Sequence, residues 1–158
     1  MSRNPFVNKC VVKATLDIPN HPSFAAGALV AGSYSPNDGQ VTLPVGAVVT
    51  DAYYVVETTC VTAGADAGTM ALGWTGSTGA IKAAIAVSAA GDVYDAGIRG
   101  GLIGQQALDG NALTAIASAA AVAATKVAIA STPKNVLFTI ATQSFTAGKI
   151  HLYVEYVI

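Results

Sequence analysis

The last ten residues restrict the fold most. From Lys149 to Ile158 the chain reads Lys-Ile-His-Leu-Tyr-Val-Glu-Tyr-Val-Ile. Ile150, Leu152, Val154, Tyr156 and Ile158 share one parity, and Lys149, His151, Tyr153 and Glu155 share the other. Successive strand side chains point to opposite faces, so this alternation predicts a half-buried strand of an antiparallel sheet. A helix would spread the same apolar residues round its circumference. The N-terminal segment is alike: Cys10, Val12, Ala14, Leu16 and Ile18 face one way, with Lys9, Lys13 and Asp17 opposite. Pro19 and Pro22 end it, because proline has no N–H to give to a ladder.

Other segments continue the pattern. Gln40 to Leu43 leads into Pro44-Val45-Gly46, which has turn chemistry. Beyond it Val48, Ala52, Tyr54, Val56 and Cys60 are assigned to the inner parity of a long strand, with Asp51, Glu57 and Thr59 outside. Thr69 to Trp74 and Thr125 to Ser131 read as short strands. In Asn135 to Ala141, Val136, Phe138 and Ile140 share a face, and the polar Thr142 to Gly148 that follows suits a hairpin loop. Two stretches read either as β structure or as short helices. Ala80 to Ala90 places Ile81, Ala84, Ile85 and Ser88 at helical spacing, and Asn111 to Ala124 does so with Leu113, Ile116, Ala117, Ala120 and Ala124. The glycine-rich Gly97 to Gly110 is expected to be an ordered loop. No segment resembles a linker. The expectation is a single domain over residues 1–158, all-β, an antiparallel β-sandwich or jelly-roll-like fold with one or two short helices. Residues 1–7 are a candidate N-terminal arm.

Composition narrows the partners. Hydrophobic residues make up 53% and charged residues 11%, against roughly 25% charged in average soluble domains. The 31 alanines account for much of that apolar fraction, and 16 glycines add to the share of small residues. Net charge is −1, and the eight basic residues are scattered singly, so no run is available to neutralise nucleic-acid phosphates. Low charge favours association, and much of the surface is expected to be covered by partners, copies of the chain included. No signal-peptide h-region follows Met1, and the charge-free Asn111 to Thr125 is shorter than the ~20 residues of a membrane span, so a soluble chain is expected. Cys10 and Cys60, on apolar strand faces, are expected to be free, buried thiols in a reducing compartment.

Chemistry-bearing patterns are sparse. His21 and His151 lack metal-type partners at i+2 or i+4, and both read as surface or interface histidines. No Gly-x-Ser-x-Gly elbow occurs. Asp92 and Asp95 form the only close acidic pair, best suited to turn and capping roles, since calcium wants six to eight oxygens. The run Gly97-x-x-Gly100-Gly101-x-x-Gly104 lacks the spacing and lysine of phosphate-binding loops. Tyr53, Tyr54, Tyr94, Tyr153, Tyr156 and Trp74 would suit core or interface positions, or a platform for stacking sugars. No catalytic residue, metal ligand or cofactor site is assigned, and a non-enzymatic protein is expected.

Several stretches, taken in order, resemble a known group. They are Leu43-Pro44-Val45-Gly46-Ala47-Val48 running to Tyr53, then Asp66 to Gly73, Ala84 to Ser88 and Asp92 to Gly97. Leu137 to Ala141, Phe145-Thr146-Ala147-Gly148-Lys149-Ile150 and Val154-Glu155-Tyr156 complete the series. This order is similar to small structural proteins of tailed-bacteriophage heads, the capsid decoration or cement proteins and related head-fibre bases. The resemblance spans roughly residues 40 to 158, with Asn111 to Ala124 resembling an insertion. It implies a β-sandwich or jelly-roll module, often a homotrimer, that sits on the outer capsid of the virion and clamps neighbouring copies of the major capsid protein. Assembly would take place in the bacterial host cytoplasm. A glycan- or receptor-binding module of a virion fibre, or another tail or neck component, is the alternative. Candidate partner contacts are Phe6, Pro19, His21, Pro22, Phe24, Tyr34, Leu113 and Ile116, in the low-charge segments outside the patterned strands.

Overall fold

Ten antiparallel strands form two sheets in the structure, a computed structural model that describes residues 9–87, 93–101, 127–128 and 132–158. The first half supplies β1 (Lys9–Asp17), β2 (Gly32–Tyr34), β3 (Thr42–Leu43), β4 (Val48–Thr62) and β5 (Thr69–Trp74). The second supplies β6 (Ser77–Ala86), β7 (Arg99–Gly101), β8 (Val127–Ala128), β9 (Lys134–Ala141) and β10 (Phe145–Val157). The first sheet runs β1-β10-β4-β7, with β8 also on β4; the second runs β2-β9-β5-β6, with β3 also on β9. The described residues contain no helix.

The alternating C-terminal segment is the middle of the first sheet. Ile150, Leu152 and Val154 are fully buried and Tyr156 nearly so, whereas Ile158 lies beyond the strand and is exposed. Across the core, Val136, Phe138 and Ile140 of β9 are equally buried, as are Met70 and Leu72 of β5. The predicted turn forms at Pro44 to Ala47, closed by Ala47 N–H donating to the Pro44 carbonyl at 3.2 Å, with Gly46 at φ +83°.

Four expectations change. First, β9 and β10 do not form a hairpin. Thr142 to Ser144 carries the chain from one sheet to the other, since β9 pairs with β2, β3 and β5 and β10 with β1 and β4. Each strand has one apolar face, and the arch sets those faces against each other across the core; parity alone does not separate that from a hairpin. Second, Ala80 to Ala86 is extended within β6, not helical, and pairs with β5. Its helical spacing reflects abundant alanine, and sheet pairing outweighs that weak preference. Third, Val49 rather than Val48 is buried on β4. The register steps from Glu155↔Asp51 to Tyr156↔Val49, so Thr50 is an extra residue and parity inverts there. Gly97 to Gly110 is also not wholly loop: Arg99–Gly101 is a strand. The helix candidate at 111–124 lies outside the described residues, and of Thr125 to Ser131 only the short strand β8 is described.

Candidate functional site

The outward face of the first sheet gathers the side chains that sequence parity left as scattered surface polar residues. The straight β1–β10 register brings Thr15 opposite His151 and Asp17 opposite Lys149. On the other side of β10, pairing slips between Lys149↔Thr58 and Ile150↔Val56, leaving Glu57 at the irregularity. Its carboxylate reaches two β10 residues from there. Glu57 Oε2 lies 2.6 Å from His151 Nε2, and Oε1 accepts from Lys149 Nζ at 3.1 Å. His151 Nδ1 meets the Thr15 hydroxyl at 3.0 Å, and Lys149 lies 4.0 Å from Asp17. The hydrogen bond from His151, then that from Lys149, holds the Glu57 carboxyl below its ordinary range, and the Lys149 ammonium is raised in turn. An open cavity of about 430 Å3 lies beside this network, lined by Lys13, Asp17, Asn37, Asp38, Lys149 and His151 among others.

The row Thr15–His151–Glu57 has the order of a nucleophile, base and acid. Thr15 is only 7% exposed, however, while Glu57 is largely solvated. Its hydroxyl is placed to orient the imidazole and offers little surface to a substrate. Among the described residues, no three of His, Cys, Asp and Glu cluster in a way that could hold a metal ion. Neither cysteine is in a disulfide; Cys60 is buried and Cys10 half-buried. Burial, with a lesser contribution from the Asp95 charge, pushes the Cys60 thiol up to about 12, far from a reactive thiolate. The backbone carbonyl of Asp95 accepts from Ile98 N–H in a turn, and Asp92 lies outside the described residues.

Further along the same face, Lys13, Tyr153 and Tyr53 form a cross-strand row. The two rings stack at 4.8 Å with 13° between planes, and Lys13 Nζ lies 5.8 Å from the Tyr153 centroid. Tyr54, Tyr94, Tyr156 and Trp74 are buried, so the broad aromatic platform open to sequence is not assembled. Tyr94 donates to the Met70 carbonyl at 2.7 Å across the core, and its burial raises its pKa well above the ordinary phenol value.

The sequence-chosen contacts divide. Pro19 and Pro22 are exposed, Phe24 and Tyr34 half-buried; Phe6, Leu113 and Ile116 lie outside the described residues. His21 is corrected as a surface histidine, being only 8% exposed. Its Nδ1 accepts from Ser23 N–H and its Nε2 meets the Ser35 carbonyl, each at 3.0 Å, and Tyr34 packs edge-on to the ring at 5.3 Å. It ties the proline-rich loop together. Sequence reasoning missed the Glu57–His151–Lys149 network and Asn37. The outer-parity charges were the available signal, but only the pairing of the two ends of the chain brings them together.

No family model matches the chain, and no curated protein matches it by sequence. Solved structures of similar fold come from phage capsids. One is the acid-stable capsid of Helicobacter pylori bacteriophage KHP30, at 15% identity, TM-score 0.55, covering 95% of this chain and 87% of that one. Another is the capsid asymmetric unit of cyanophage Pam1, at 16% and 0.57, covering 100% and 91%. A third is the capsid of Ralstonia phage GP4, at 19% and 0.53, covering 99% and 90%. At these identities the likeness is one of fold.

Proposed function

We propose that the chain is a structural protein of a bacteriophage virion that binds the outside of the capsid and stabilises contacts between capsid subunits. The observation that carries this is the near-complete mutual coverage with chains from three phage capsids. The likeness takes in the whole sandwich and not a shared half. The sparse charge of the chain supports the same reading, because a surface of this kind is suited to being covered. In this role the protein is not an enzyme and takes no cofactor. It works by shape-complementary contact, with copies of itself as a homotrimer and with the major capsid protein, and repetition over the particle multiplies modest affinities.

The test is addition of the purified protein to empty capsid shells assembled without it, followed by density-gradient sedimentation. Saturable co-sedimentation and a rise in the temperature at which the shells rupture are expected. Shells that neither bind the protein nor gain heat resistance would rule the proposal out. Light scattering on the free protein checks the trimer, expected at three times the 15.8 kDa chain mass.

A further inference from the structure

The ring of His21 joins the loop after β1 to the chain just beyond β2, and both of its hydrogen-bond partners are backbone groups with fixed roles. The Ser23 N–H can only donate, so Nδ1, 3.0 Å away, accepts. The Ser35 carbonyl can only accept, so Nε2, also at 3.0 Å, donates. One form of the ring satisfies both, the neutral imidazole with its proton on Nε2. In the imidazolium both nitrogens carry protons, and Nδ1–H would be set against Ser23 N–H. The ring is only 8% exposed, so a charge there would also lose most of its hydration.

Among the described residues, no charged side chain hydrogen-bonds or ion-pairs with the ring to offset that loss. Tyr34 of β2 packs edge-on at 5.3 Å, and its hydroxyl donates to the Val30 carbonyl, so it carries no charge. Asp17, at the end of β1, accepts from Asn20 Nδ2 at 3.0 Å and lies 4.0 Å from Lys149 of β10. Asp38, on the turn after Ser35, is exposed. His151 of β10, the other histidine, is engaged with Thr15 and Glu57.

The loop held by this ring has firm ends. On one side Asn37 donates its backbone N–H to the Thr15 carbonyl at 2.8 Å, and its side-chain amide bonds the Asp17 N–H and carbonyl at 2.7 and 2.8 Å. On the other, Leu29 exchanges two backbone bonds with Phe145 of β10, at 2.8 and 2.9 Å. Between them His21 organises the chain. Its N–H donates to the Ile18 carbonyl at 3.2 Å, and its carbonyl accepts from Phe24 N–H at 2.8 Å. The stretch ends in a turn closed by Ala28 N–H on the Ala25 carbonyl, with Ala26 held at φ +50°, a left-handed conformation that a residue with a Cβ relaxes from when freed. We infer that Pro19 to Ala28 is an acid-released strap, closed with Phe24 against the core while His21 is neutral and opened when the ring takes up a proton. Pro19, Pro22 and Phe24 lie on it, so a partner seated there would meet a fixed surface at neutral pH and a released one in acid.

The open strap binds one more proton than the closed one, so opening becomes easier as pH falls below the ordinary imidazole value of about 6.5, by up to roughly tenfold per pH unit. Amide exchange on the intact chain at about pH 7.5 and about pH 5, corrected for the intrinsic exchange rate, tests this. Protection of the Ser23 and Phe24 amides is expected to fall at least tenfold in acid, while that of Leu29, bonded to β10, is unchanged. His21→Asn keeps an acceptor two residues before the Ser23 N–H, as in an Asx-turn, and cannot titrate there, while His151 stays in place. Its Ser23 and Phe24 protection should be the same at both pH values. Equal protection of Ser23 and Phe24 in the parent at the two pH values overturns the strap. So does an equal loss in His21→Asn, which would assign the titration to another group, and so does a loss of the same size at Leu29, which would make the opening global. If His21→Asn does not fold, the ring-nitrogen chemical shifts of the parent decide. Nδ1 should gain its proton over the same pH range in which Ser23 protection is lost, and charging over a different range, or with both amides still protected, overturns the proposal.

Discussion

Gly100 sits opposite Tyr54 in the β4–β7 pair, and a Cβ built there would lie 2.1 Å from Tyr54 Cε1. Tyr54 is almost fully buried and its hydroxyl donates to the Val93 carbonyl at 3.1 Å, so the ring has little room to yield. Gly100→Ala should therefore cost about 1–3 kcal/mol, as overpacking does. For a domain of this size that lowers Tm by roughly 3–10 °C in a thermal melt. Sequence placed Gly100 among several loop glycines, because the need for a missing Cβ is imposed by a tyrosine far along the chain. Glu57 gives a second residue-level outcome. Its folded pKa lies below the ordinary 4.5. A carboxyl depressed in the folded state contributes stability above its unfolded pKa and loses it as pH falls through the folded value. The Tm gap between parent and Glu57→Gln should thus be widest above about pH 5 and close as the pH drops below 4.5. His21 shows the opposite limit of legibility: its loop was recognisable from Pro19 and Pro22, but its inward ring follows from Ser23, Ser35 and Tyr34 closing round it.

Strands were legible where one face is solvated, as in β1, β9 and β10, because alternation then records burial directly. β6 was not, and the reason is Lys82. Its ammonium leans inward to 5.6 Å from the Tyr54 ring centroid, so a charge marks a partly buried position and the period-2 signal is blurred by alanines. Burial lowers the Lys82 pKa from 10.5. A lysine depressed in this way costs stability while charged, and the cost declines as pH rises through its folded pKa toward the unfolded value. Lys82→Met keeps the unbranched stem and removes the desolvated charge. The variant should melt at or above the parent temperature at pH 7, with the gap shrinking toward pH 10.5. It should also scatter more light as concentration rises, because the inward lysine that guards the β6 edge is gone. A lower Tm at pH 7 would mean that the contact with the Tyr54 ring outweighs desolvation.

At the scale of the molecule, the chain closes on itself. Lys9 pairs with Val157, so the first described strand and the last lie side by side. β10 bridges β1 and β4, while β9 crosses into the other sheet and is flanked by β2 and β5. Individual faces were readable one strand at a time; the order of strands was not, because it depends on which distant faces meet across the core. The same property sets a folding rate. Among the described residues, apart from β5 and β6, joined by the two-residue turn Thr75-Gly76, every pairing joins strands that are not consecutive in the order β1 to β10. Loop closure must be met before those contacts stabilise anything, and sandwiches of this kind fold in milliseconds to seconds. Trp74, the sole tryptophan, is 3% exposed at the end of β5 beside Val136 of β9, so its fluorescence reports the second sheet. After dilution from denaturant its native signal should return over milliseconds to seconds. Leu152→Ala, in the fully buried centre of β10, should lower equilibrium stability by about 2–5 kcal/mol. If both sheets form in one cooperative step, the Trp74 transition shifts to lower denaturant by that amount even though Leu152 belongs to the first sheet. A Trp74 transition that stays at its parent midpoint would show that the second sheet holds without the first.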